Sequence, residues 1–214
     1  LMGALIMIHG DDKGLILPPK IAPIQVVIIP IYYDEGKKNE IIKVIKKIKE
    51  QLDEKGVRSH VDSSEQHTPG WKFNQWEMKG VPIRVEIGPK DLDNNSLVVV
   101  KRNSRDKKNI TISDNPADHI MRELEIIQDE LFESAKMKHS EMIFKSDEYN
   151  ELCNRLANDK GFIKSAWCGS RECEDKIKDE TGADVRLIED EVISSSCIVC
   201  GNDATNSVYF AKSY

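Results

Sequence analysis

Four cysteines near the C-terminus constrain the fold of this 214-residue chain more than any other feature. Cys168 and Cys173 have four residues between them, and Cys197 and Cys200 have two. Each pair is close enough for one turn of backbone to direct both thiolates towards one point, and zinc takes four such ligands at about 2.3 Å in a tetrahedron. Four sulfurs leave no position for water, so the pattern predicts a structural zinc site and not a catalytic one.

Free thiols, or a redox pair formed by Cys197 and Cys200, are the alternatives to a metal site. A redox C-x-x-C pair normally opens a helix of a βαβ unit. Here three serines precede Cys197, and Gly201, Asn202 and Asp203 follow Cys200, which is typical of a turn. The fifth cysteine, Cys153, lies in an apolar helical pattern, and we expect it to be a small core residue.

The composition excludes several classes of protein. The chain is 39% hydrophobic and 32% charged, which is ordinary for a globular protein. No apolar run approaches the roughly 20 residues of a membrane span, and the opening lacks the basic region of a signal peptide. We therefore expect a cytoplasmic protein without a membrane partner, in a compartment where paired cysteines favour metal over disulfide. The net charge of −6 argues against DNA binding, but a local basic site can still bind phosphate.

The first residues are apolar and do not begin with methionine. Met2 to Ile8 is predicted to form a strand. His9 to Asp12 should form a turn in which aspartate side chains bond their own backbone, and Pro18 and Pro19 should end regular structure. We expect residues 1–22 to be the trailing end of a larger domain, and the chain to be a fragment.

Residues 23–115 have the pattern of an α/β domain with a mixed sheet. The nearly continuous apolar run from Ile24 to Tyr33 predicts a buried strand with parallel neighbours. Apolar residues at three-and-four spacing from Ile41 to Leu52 predict a helix that stops near Gly56. A short strand from Arg58 to Val61 would complete a βαβ unit.

The rest of the α/β domain and the C-terminal part are divided by proline and turn signals. Val81 to Ile87 alternates with period two, and Leu97 to Val100 and Ile110 to Ile112 predict a closing hairpin. Asp114-Asn115-Pro116 predicts the start of a long helix reaching Phe144. We therefore expect a linking helix over residues 116–145 and a small α+β zinc domain over residues 146–214.

The densest polar cluster lies just before the alternating strand. It combines three aromatic residues with three cations, namely Trp71, Phe73, Trp76, Lys72, Lys79 and Arg84. Such a set can stack unpaired bases and hold phosphates. The same residues would equally suit a core of aromatic side chains beneath a solvated charged face. Both interpretations remain open on the residue pattern alone.

Longer strings make a family resemblance specific. Thr68-Pro69-Gly70-Trp71-Lys72-Phe73, Trp76-Glu77, Lys79-Gly80-Val81-Pro82 and Arg84-Val85-Glu86-Ile87-Gly88-Pro89-Lys90-Asp91 resemble the anticodon-binding domain of prolyl-tRNA synthetase of the archaeal and eukaryotic type. His9-Gly10-Asp11-Asp12-Lys13-Gly14-Leu15-Ile16-Leu17-Pro18-Pro19 resembles the segment after the last class II signature of that family. The four-cysteine domain ending in Phe210-Ala211-Lys212-Ser213-Tyr214 is similar to its C-terminal domain. The resemblance covers essentially the whole chain.

The resemblance implies roles for particular residues. Glu77 and Arg84 match the positions that read one anticodon guanine, and Lys90 and Asp91 match those that read the other. The zinc ligands of the family match Cys168, Cys173, Cys197 and Cys200. Tyr214 is similar to a terminal tyrosine whose carboxylate turns towards the catalytic domain.

The resemblance also implies an activity. The intact class II enzyme would join proline to ATP and then transfer the prolyl group to proline tRNA, with magnesium at the phosphates, as a homodimer. Its first two signatures and the ATP-binding arginine of the third would lie upstream of Leu1, so we expect no catalytic residues here and no proline activation by this part alone. The alternatives are a stand-alone zinc-containing RNA-binding module and a synthetase-like accessory protein.

Overall fold

The computed structural model describes residues 2–32, 36–159 and 161–212. The chain forms two compact units, Leu1–Ala135 and Lys136–Tyr214. The predictions for Leu1, Tyr33 and Tyr214 lie outside the described residues. Within the part that is described, no helix is long and apolar enough to cross a membrane.

The first unit is a mixed α/β structure. Its strands are β1 (Val26–Pro30), β2 (Ser59–Val61), β3 (Ile83–Ile87), β4 (Ser96–Lys101) and β5 (Lys107–Thr111). Its helices are α1 (Met2–His9), α2 (Lys38–Glu54), α3 (Pro69–Met78), α4 (Pro89–Asp93) and α5 (Pro116–Glu141), and α5 extends past the boundary of the unit.

The strands form one five-stranded sheet in the order β2-β1-β3-β4-β5. Strand β1 pairs in parallel with β2 and β3, whereas β4 pairs antiparallel with β3 and β5. The mixed sheet, the βαβ unit and the closing hairpin are therefore confirmed. Parallel strands need a crossover connection, usually a helix. Helix α2 lies between β1 and β2 in the chain, and α3 lies between β2 and β3.

Strand β1 is buried throughout because apolar side chains cover both faces of the sheet. Val26 and Ile28 belong to the larger core, which is formed with the apolar faces of α2 and α5. Val27 and Ile29 pack on the opposite face with Trp76 of α3 and with Val81. The uninterrupted apolar run of β1 is explained by this burial on both sides.

Strand β3 alternates as its sequence predicts. Ile83, Val85 and Ile87 are fully buried in the larger core. Arg84 is in register with Val27 of β1 and therefore lies on the face covered by α3. The alternation thus directs a guanidinium group to the α3 side of the sheet.

The prediction of a strand at the N-terminus is wrong. Met2–His9 forms helix α1, and the amide of Gly10 donates to the carbonyl of Ile6 at 2.8 Å. A helix satisfies its backbone groups locally, whereas a strand needs a neighbour. A short apolar run does not distinguish the two by periodicity, which accounts for the error.

The helix boundaries agree closely with the sequence patterns in the first unit. Helix α2 buries Ile41, Ile45, Ile48 and Leu52 and ends before Gly56, which has φ 72°. Helix α5 begins at Pro116 as expected but ends at Glu141, so its predicted extension to Phe144 is wrong. Residues Ile143–Lys145 instead form a strand, β6.

The second unit is a small α+β structure. It contains β6, α6 (Tyr149–Asn158), β7 (Phe162–Trp167), α7 (Arg171–Thr181), β8 (Ala183–Glu189) and β9 (Asn206–Lys212). The strand order is β6-β7-β9-β8. The core of the unit packs the two helices on the sheet, with Leu152, Ile177 and Phe210 fully buried. Cys153 is partly buried against this core, as its helical pattern predicts.

In the first unit, the segment from Gly14 to Leu17 is fastened to the end of α3. The amide of Leu15 donates to the carbonyl of Met78 at 3.0 Å, and that of Leu17 donates to the carbonyl of Gly80 at 3.1 Å. Gly80 has φ 75°, and a Cβ there would lie 2.7 Å from the backbone of Leu15. The two segments approach so closely that Gly80 has no room for a side chain.

We predict that Gly80→Ala destabilises the protein more than Gly56→Ala. Both glycines are left-handed, with φ 75° and 72°, so alanine costs about 1–2 kcal/mol at either position. A Cβ at Gly56 meets no atom within 4 Å, whereas at Gly80 overpacking should add about 1–3 kcal/mol. Urea denaturation of both variants measures the difference, and equal losses would contradict the close packing.

Candidate functional site

Helix α3 is the element that organises the aromatic cluster. Thr68 is its N-cap and accepts a hydrogen bond from the amide of Trp71, and Pro69 occupies the first turn, where a missing amide proton costs nothing. The cluster is visible in the sequence, but its helix was not predicted. The Thr68-Pro69 pair was the signal that could have revealed one.

The core interpretation of the aromatic cluster holds for part of it. Trp76 is buried in the smaller core, and its indole Nε1 donates to Asp62 at 2.8 Å. Lys72 is also buried, and its ammonium group donates to the carbonyl of Asp62 at 2.9 Å. Trp71 is 46% exposed and stacks on His67. Lys72 and Trp76 therefore stabilise the fold, whereas Trp71 remains accessible.

A cavity of about 200 Å³ lies on the face of the sheet that α3 covers. Its lining includes Trp76, Glu77, Arg84, Arg102 and Arg105. The volume is below the roughly 300–1,000 Å³ of sites for drug-sized ligands, so the cavity suits a single planar group. The structure thus brings Glu77 and Arg84, seven positions apart in sequence, to one concave site.

Arg84 is oriented by two neighbours. Its Nε donates to Glu86 at 2.8 Å, and its guanidinium carbon lies 4.4 Å from the centre of the Phe73 ring. Both contacts restrict the guanidinium plane, and a cation over an aromatic face is favourable. Because Arg84 pairs with Glu86 through Nε, its two terminal nitrogens can donate two parallel hydrogen bonds to a planar acceptor.

A second guanidinium group, that of Arg102, lies buried beside the cavity. Its two terminal nitrogens donate to the two carboxylate oxygens of Asp11 at 2.9 and 2.6 Å, and its Nε donates to the carbonyl of Glu77 at 2.8 Å. Asp11 also accepts from Arg105 at 3.0 Å and from the amide of Lys13 at 2.9 Å. The turn role predicted for Asp11 is confirmed, and an ion-pair role is added to it.

The ion pair determines the charge state of Asp11. The hydrogen bond from Arg102 holds the pKa of Asp11 well below its ordinary value of 3.8, although burial opposes this shift. The carboxylate is therefore ionised throughout the physiological range. Arg102 and Arg105 were missed by the sequence analysis because both lie 91 or more positions from Asp11.

Lys90 and Asp91 lie on the short helix α4, directly after β3. The carboxylate of Asp91 accepts from the amide of Gly88 at 2.8 Å and so holds the start of that helix. Lys90 is exposed, and Asp91 is half-buried. Lys90 and Asp91 do not line the cavity of Glu77 and Arg84, so the four residues belong to two separate sites on the domain.

The four cysteines of the second unit converge on one point. Cys168 follows β7, Cys173 lies in the first turn of α7, and Cys197 and Cys200 occupy the loop between β8 and β9. The amide of Cys197 donates to the carbonyl of Asn202 at 2.8 Å, which closes the loop as the predicted turn. All four sulfurs lie within 4.8 Å of one another.

The sulfur geometry fits a tetrahedral metal ion. The Cys168 sulfur lies 3.7 Å from those of Cys173 and Cys200. Four sulfurs at about 2.3 Å from a central zinc would be separated by about 3.8 Å, whereas a disulfide brings sulfurs to about 2.05 Å. The cluster can therefore hold a metal ion, and its redox alternative at Cys197 and Cys200 does not account for the other two thiols.

The backbone around Cys197 favours its thiolate. Burial raises its pKa, but hydrogen bonds from the backbone of Cys200 and Val199 lower the pKa of Cys197 to about 7. Burial raises the pKa of Cys173, so this thiol needs a cation beside it to ionise. The donor set thus has the chemistry of a site that is completed by metal binding.

Comparisons with known proteins match both units. Residues 25–117 match the family model described as "Anticodon binding domain", and residues 149–214 match "Prolyl-tRNA synthetase, C-terminal". The fold and its sites therefore define a C-terminal region of an aminoacyl-tRNA synthetase.

The relatives specify which synthetase this is. A proline–tRNA ligase of Cenarchaeum symbiosum is 43% identical over 214 residues, and "Proline–tRNA ligase 2" of Clostridioides difficile is 44% identical over 216. Each match covers 100% of this chain and 44% of the relative, so the chain spans less than half of their length. A crystal structure of prolyl-tRNA synthetase from Cryptosporidium parvum with L-proline and AMP superposes with TM-score 0.91 at 38% identity, over 100% of this chain and 46% of that one.

The chain belongs to the prolyl-tRNA synthetase family, and it corresponds to the C-terminal region of those enzymes. The family resemblance of the sequence strings is confirmed. A stand-alone RNA-binding module or an accessory protein is not favoured by matches of this extent.

We predict a pH-dependent stabilising role for Asp11. Asp11→Asn should lower the free energy of unfolding near neutral pH by about 1.5–3 kcal/mol, the range for hydrogen bonds to charged groups. Because the folded-state pKa of Asp11 is depressed, its contribution is complete above the unfolded-state value near 4 and is lost as the pH falls below it.

Urea denaturation between pH 3 and pH 7 tests this role. The difference between the wild type and Asp11→Asn should shrink as the pH falls towards 3. The neighbouring Asp12, whose side chain is 81% exposed, supplies the control, and Asp12→Asn should stay within about 0.5 kcal/mol of the wild type. A difference that did not change with pH would contradict an electrostatic role for Asp11.

Proposed function

We propose that this region reads the anticodon of proline tRNA as part of a proline–tRNA ligase. The observation that supports the proposal most strongly is that Glu77 and Arg84 line one cavity of single-base size. RNA is read in a sequence-specific way chiefly through unpaired bases that are splayed into such pockets. The anticodon is a run of unpaired bases at the end of a hairpin.

The two side chains complement guanine and no other base equally well. The Glu77 carboxylate can accept from the N1 and N2 donors of guanine, and the terminal nitrogens of Arg84 can donate to O6 and N7. A base lying between them would satisfy both charged groups at once. We assign one of the two anticodon guanines to this pair.

The second guanine is assigned to Lys90 and Asp91. The ammonium group of Lys90 can donate to O6 or N7. Asp91 already accepts the amide of Gly88 through one carboxylate oxygen, so its other oxygen is the one that would meet the base. The separation of the two pairs into different places suits two successive bases that are splayed apart.

The intact enzyme would attach proline to its tRNA in two steps. Proline and ATP would form prolyl adenylate with release of pyrophosphate, and the prolyl group would pass to the terminal ribose. Magnesium would neutralise the phosphates. The Cryptosporidium parvum relative binds L-proline and AMP, and a second structure of it holds halofuginone and AMPPNP, which supports this assignment. We propose that the intact enzyme is a cytoplasmic homodimer.

We propose zinc as the metal of the four-cysteine cluster, with a structural role. Four thiolates at this spacing suit zinc and complete its tetrahedron, so no position remains for substrate. The ion would join β7, α7 and the loop before β9, which are the parts of the second unit that carry the ligands. Its binding would contribute directly to the folding free energy of that unit.

We predict that Arg84→Ala weakens binding of unmodified proline tRNA by about 1–3 kcal/mol, the value of a bidentate contact to guanine. Filter binding or fluorescence anisotropy at fixed salt measures this. The loss should disappear when the tRNA carries another base in place of the guanine read by Arg84, and it should persist when the other guanine is changed. Lys90→Ala should show the opposite dependence on the two guanines.

Arg122→Ala, which removes the same charge from the exposed surface of α5, controls for general attraction to RNA. It should alter binding of all the tRNAs alike and only slightly. An Arg84→Ala variant that lost affinity equally for every tRNA would contradict base reading by Arg84.

We predict one tightly bound zinc per chain and its loss in Cys173→Ser. Metal analysis of the purified protein gives the stoichiometry, and hydrogen exchange reports folding. Removing the metal should expose amides of β7, α7 and β9 while those of β1 and β3 stay protected. Cys153→Ser is the matched control, because Cys153 lies on α6 outside the cluster, and it should retain the metal. Full zinc content in Cys173→Ser would contradict the assignment.

A further inference from the structure

The cavity that contains Glu77 is supported by a residue from outside the anticodon-binding domain. Asp11 lies in the segment before β1, beyond the residues 25–117 that match the anticodon-binding family model. Its carboxylate nevertheless accepts from both arginines that border Glu77, which are Arg102 and Arg105. We propose that Asp11 is a positioning residue for guanine recognition, acting on Glu77 through Arg102 and Arg105. This inference rests on the proposed function of Glu77.

Arg102 holds the backbone of Glu77. The arginine side chain is only 2% exposed, and its Nε donates to the Glu77 carbonyl at 2.8 Å, in the last turn of α3. Its two terminal nitrogens donate to the carboxylate of Asp11. A buried guanidinium group is stable only while its charge is paired. The hydrogen bond from Arg102 to the Glu77 carbonyl, and with it the position of the Glu77 backbone, therefore depends on the carboxylate of Asp11.

Arg105 holds the side chain of Glu77. Its Nε lies 3.3 Å from one carboxylate oxygen of Glu77, and one of its terminal nitrogens lies 3.0 Å from Asp11. The backbone of Arg105 has φ 61°, a left-handed conformation that residues other than glycine adopt rarely and only where their surroundings hold them. The bridge from Asp11 through Arg105 therefore restricts the carboxylate that would receive the base.

The backbone next to these side chains reinforces the arrangement. The amide of Leu15 donates to the carbonyl of Met78, the residue after Glu77, at 3.0 Å. The segment that carries Asp11 thus contacts the end of α3 through main chain as well as side chains. Glu77 is preorganised on three sides before any base arrives, and such preorganisation increases affinity by reducing the ordering required on binding.

The sign of the charge makes the inference testable. Asp11 is an anion, so removing its charge should strengthen general attraction to RNA. A positioning role predicts the opposite for the cognate tRNA. The preference is the ratio of the affinity for proline tRNA to that for a tRNA in which the guanine read by Glu77 is replaced. Asp11→Asn should lower this ratio about tenfold, which is the scale of one lost base contact. Binding to the substituted tRNA should stay equal or tighten.

The test is an anisotropy titration of the 214-residue chain with both tRNAs at 20 °C and at two salt concentrations, with melting curves recorded for each variant. Asp12→Asn removes the same charge one position away. Asp12 lies 3.7 Å from Arg105, but its side chain is 81% exposed, so the pair contributes little and this variant should keep the wild-type preference. Asp11→Glu keeps the charge and should recover much of the preference. A purely structural role would lower the melting temperature of Asp11→Asn and leave the preference unchanged, and that result would overturn the inference.

Arg105→Gln provides a second route if Asp11→Asn does not fold at the assay temperature. Asp11 keeps its pairing with Arg102 after this change, and the Glu77 side chain is 23% exposed, so no fully buried charge is left unpaired. This variant should also lose the preference, and a preserved preference would overturn the inference. A preference retained in either variant would overturn the inference about Asp11 but would not contradict the proposed function. A wild-type protein that binds both tRNAs equally would instead refute the proposed function, and the inference with it.

Discussion

The ion pair between Asp11 and the buried guanidinium group of Arg102 is the interaction on which the candidate base-binding site depends. It joins the segment before β1 to the end of β4, and through the Glu77 carbonyl it fixes the last turn of α3. A buried arginine without its counter-charge is strongly destabilising, so the elements around the cavity must form together. Glycine at position 80 permits the close backbone approach that accompanies the pair.

The same side of the sheet shows how a stable core and a binding surface share one helix. Helix α3 directs Trp76 and Lys72 inward, where Asp62 satisfies both. It presents Glu77 to the cavity and exposes Trp71 to solvent. The alternation of β3 directs the Arg84 side chain to the α3 side of the sheet, where its guanidinium group lies over the Phe73 ring. The separation of roles follows from helical periodicity, which spreads neighbouring residues around the axis.

The sequence was most informative where the determining interactions are local. Three patterns are each contained in a few neighbouring residues, and their structures were predicted. They are the apolar run of β1, the alternation of β3 and the paired cysteines. The strand assigned to Met2–His9 was wrong because a short apolar run suits either element. The role of Arg102 was not visible at all, since its partner lies 91 positions away. Lys72 could be taken for a phosphate ligand because the sequence does not show that the chain brings Asp62 beside it.

Discrimination of guanine from other bases in an anticodon is the property that we propose for this region. Its most direct test is the binding of the wild-type chain to unmodified proline tRNA and to the same tRNA with both anticodon guanines replaced by cytosine, at one moderate salt concentration. We expect markedly tighter binding of the unmodified tRNA, since two lost bases each remove about 1–3 kcal/mol. Equal affinity for the two tRNAs would mean that only backbone charge is sensed, and it would contradict the account.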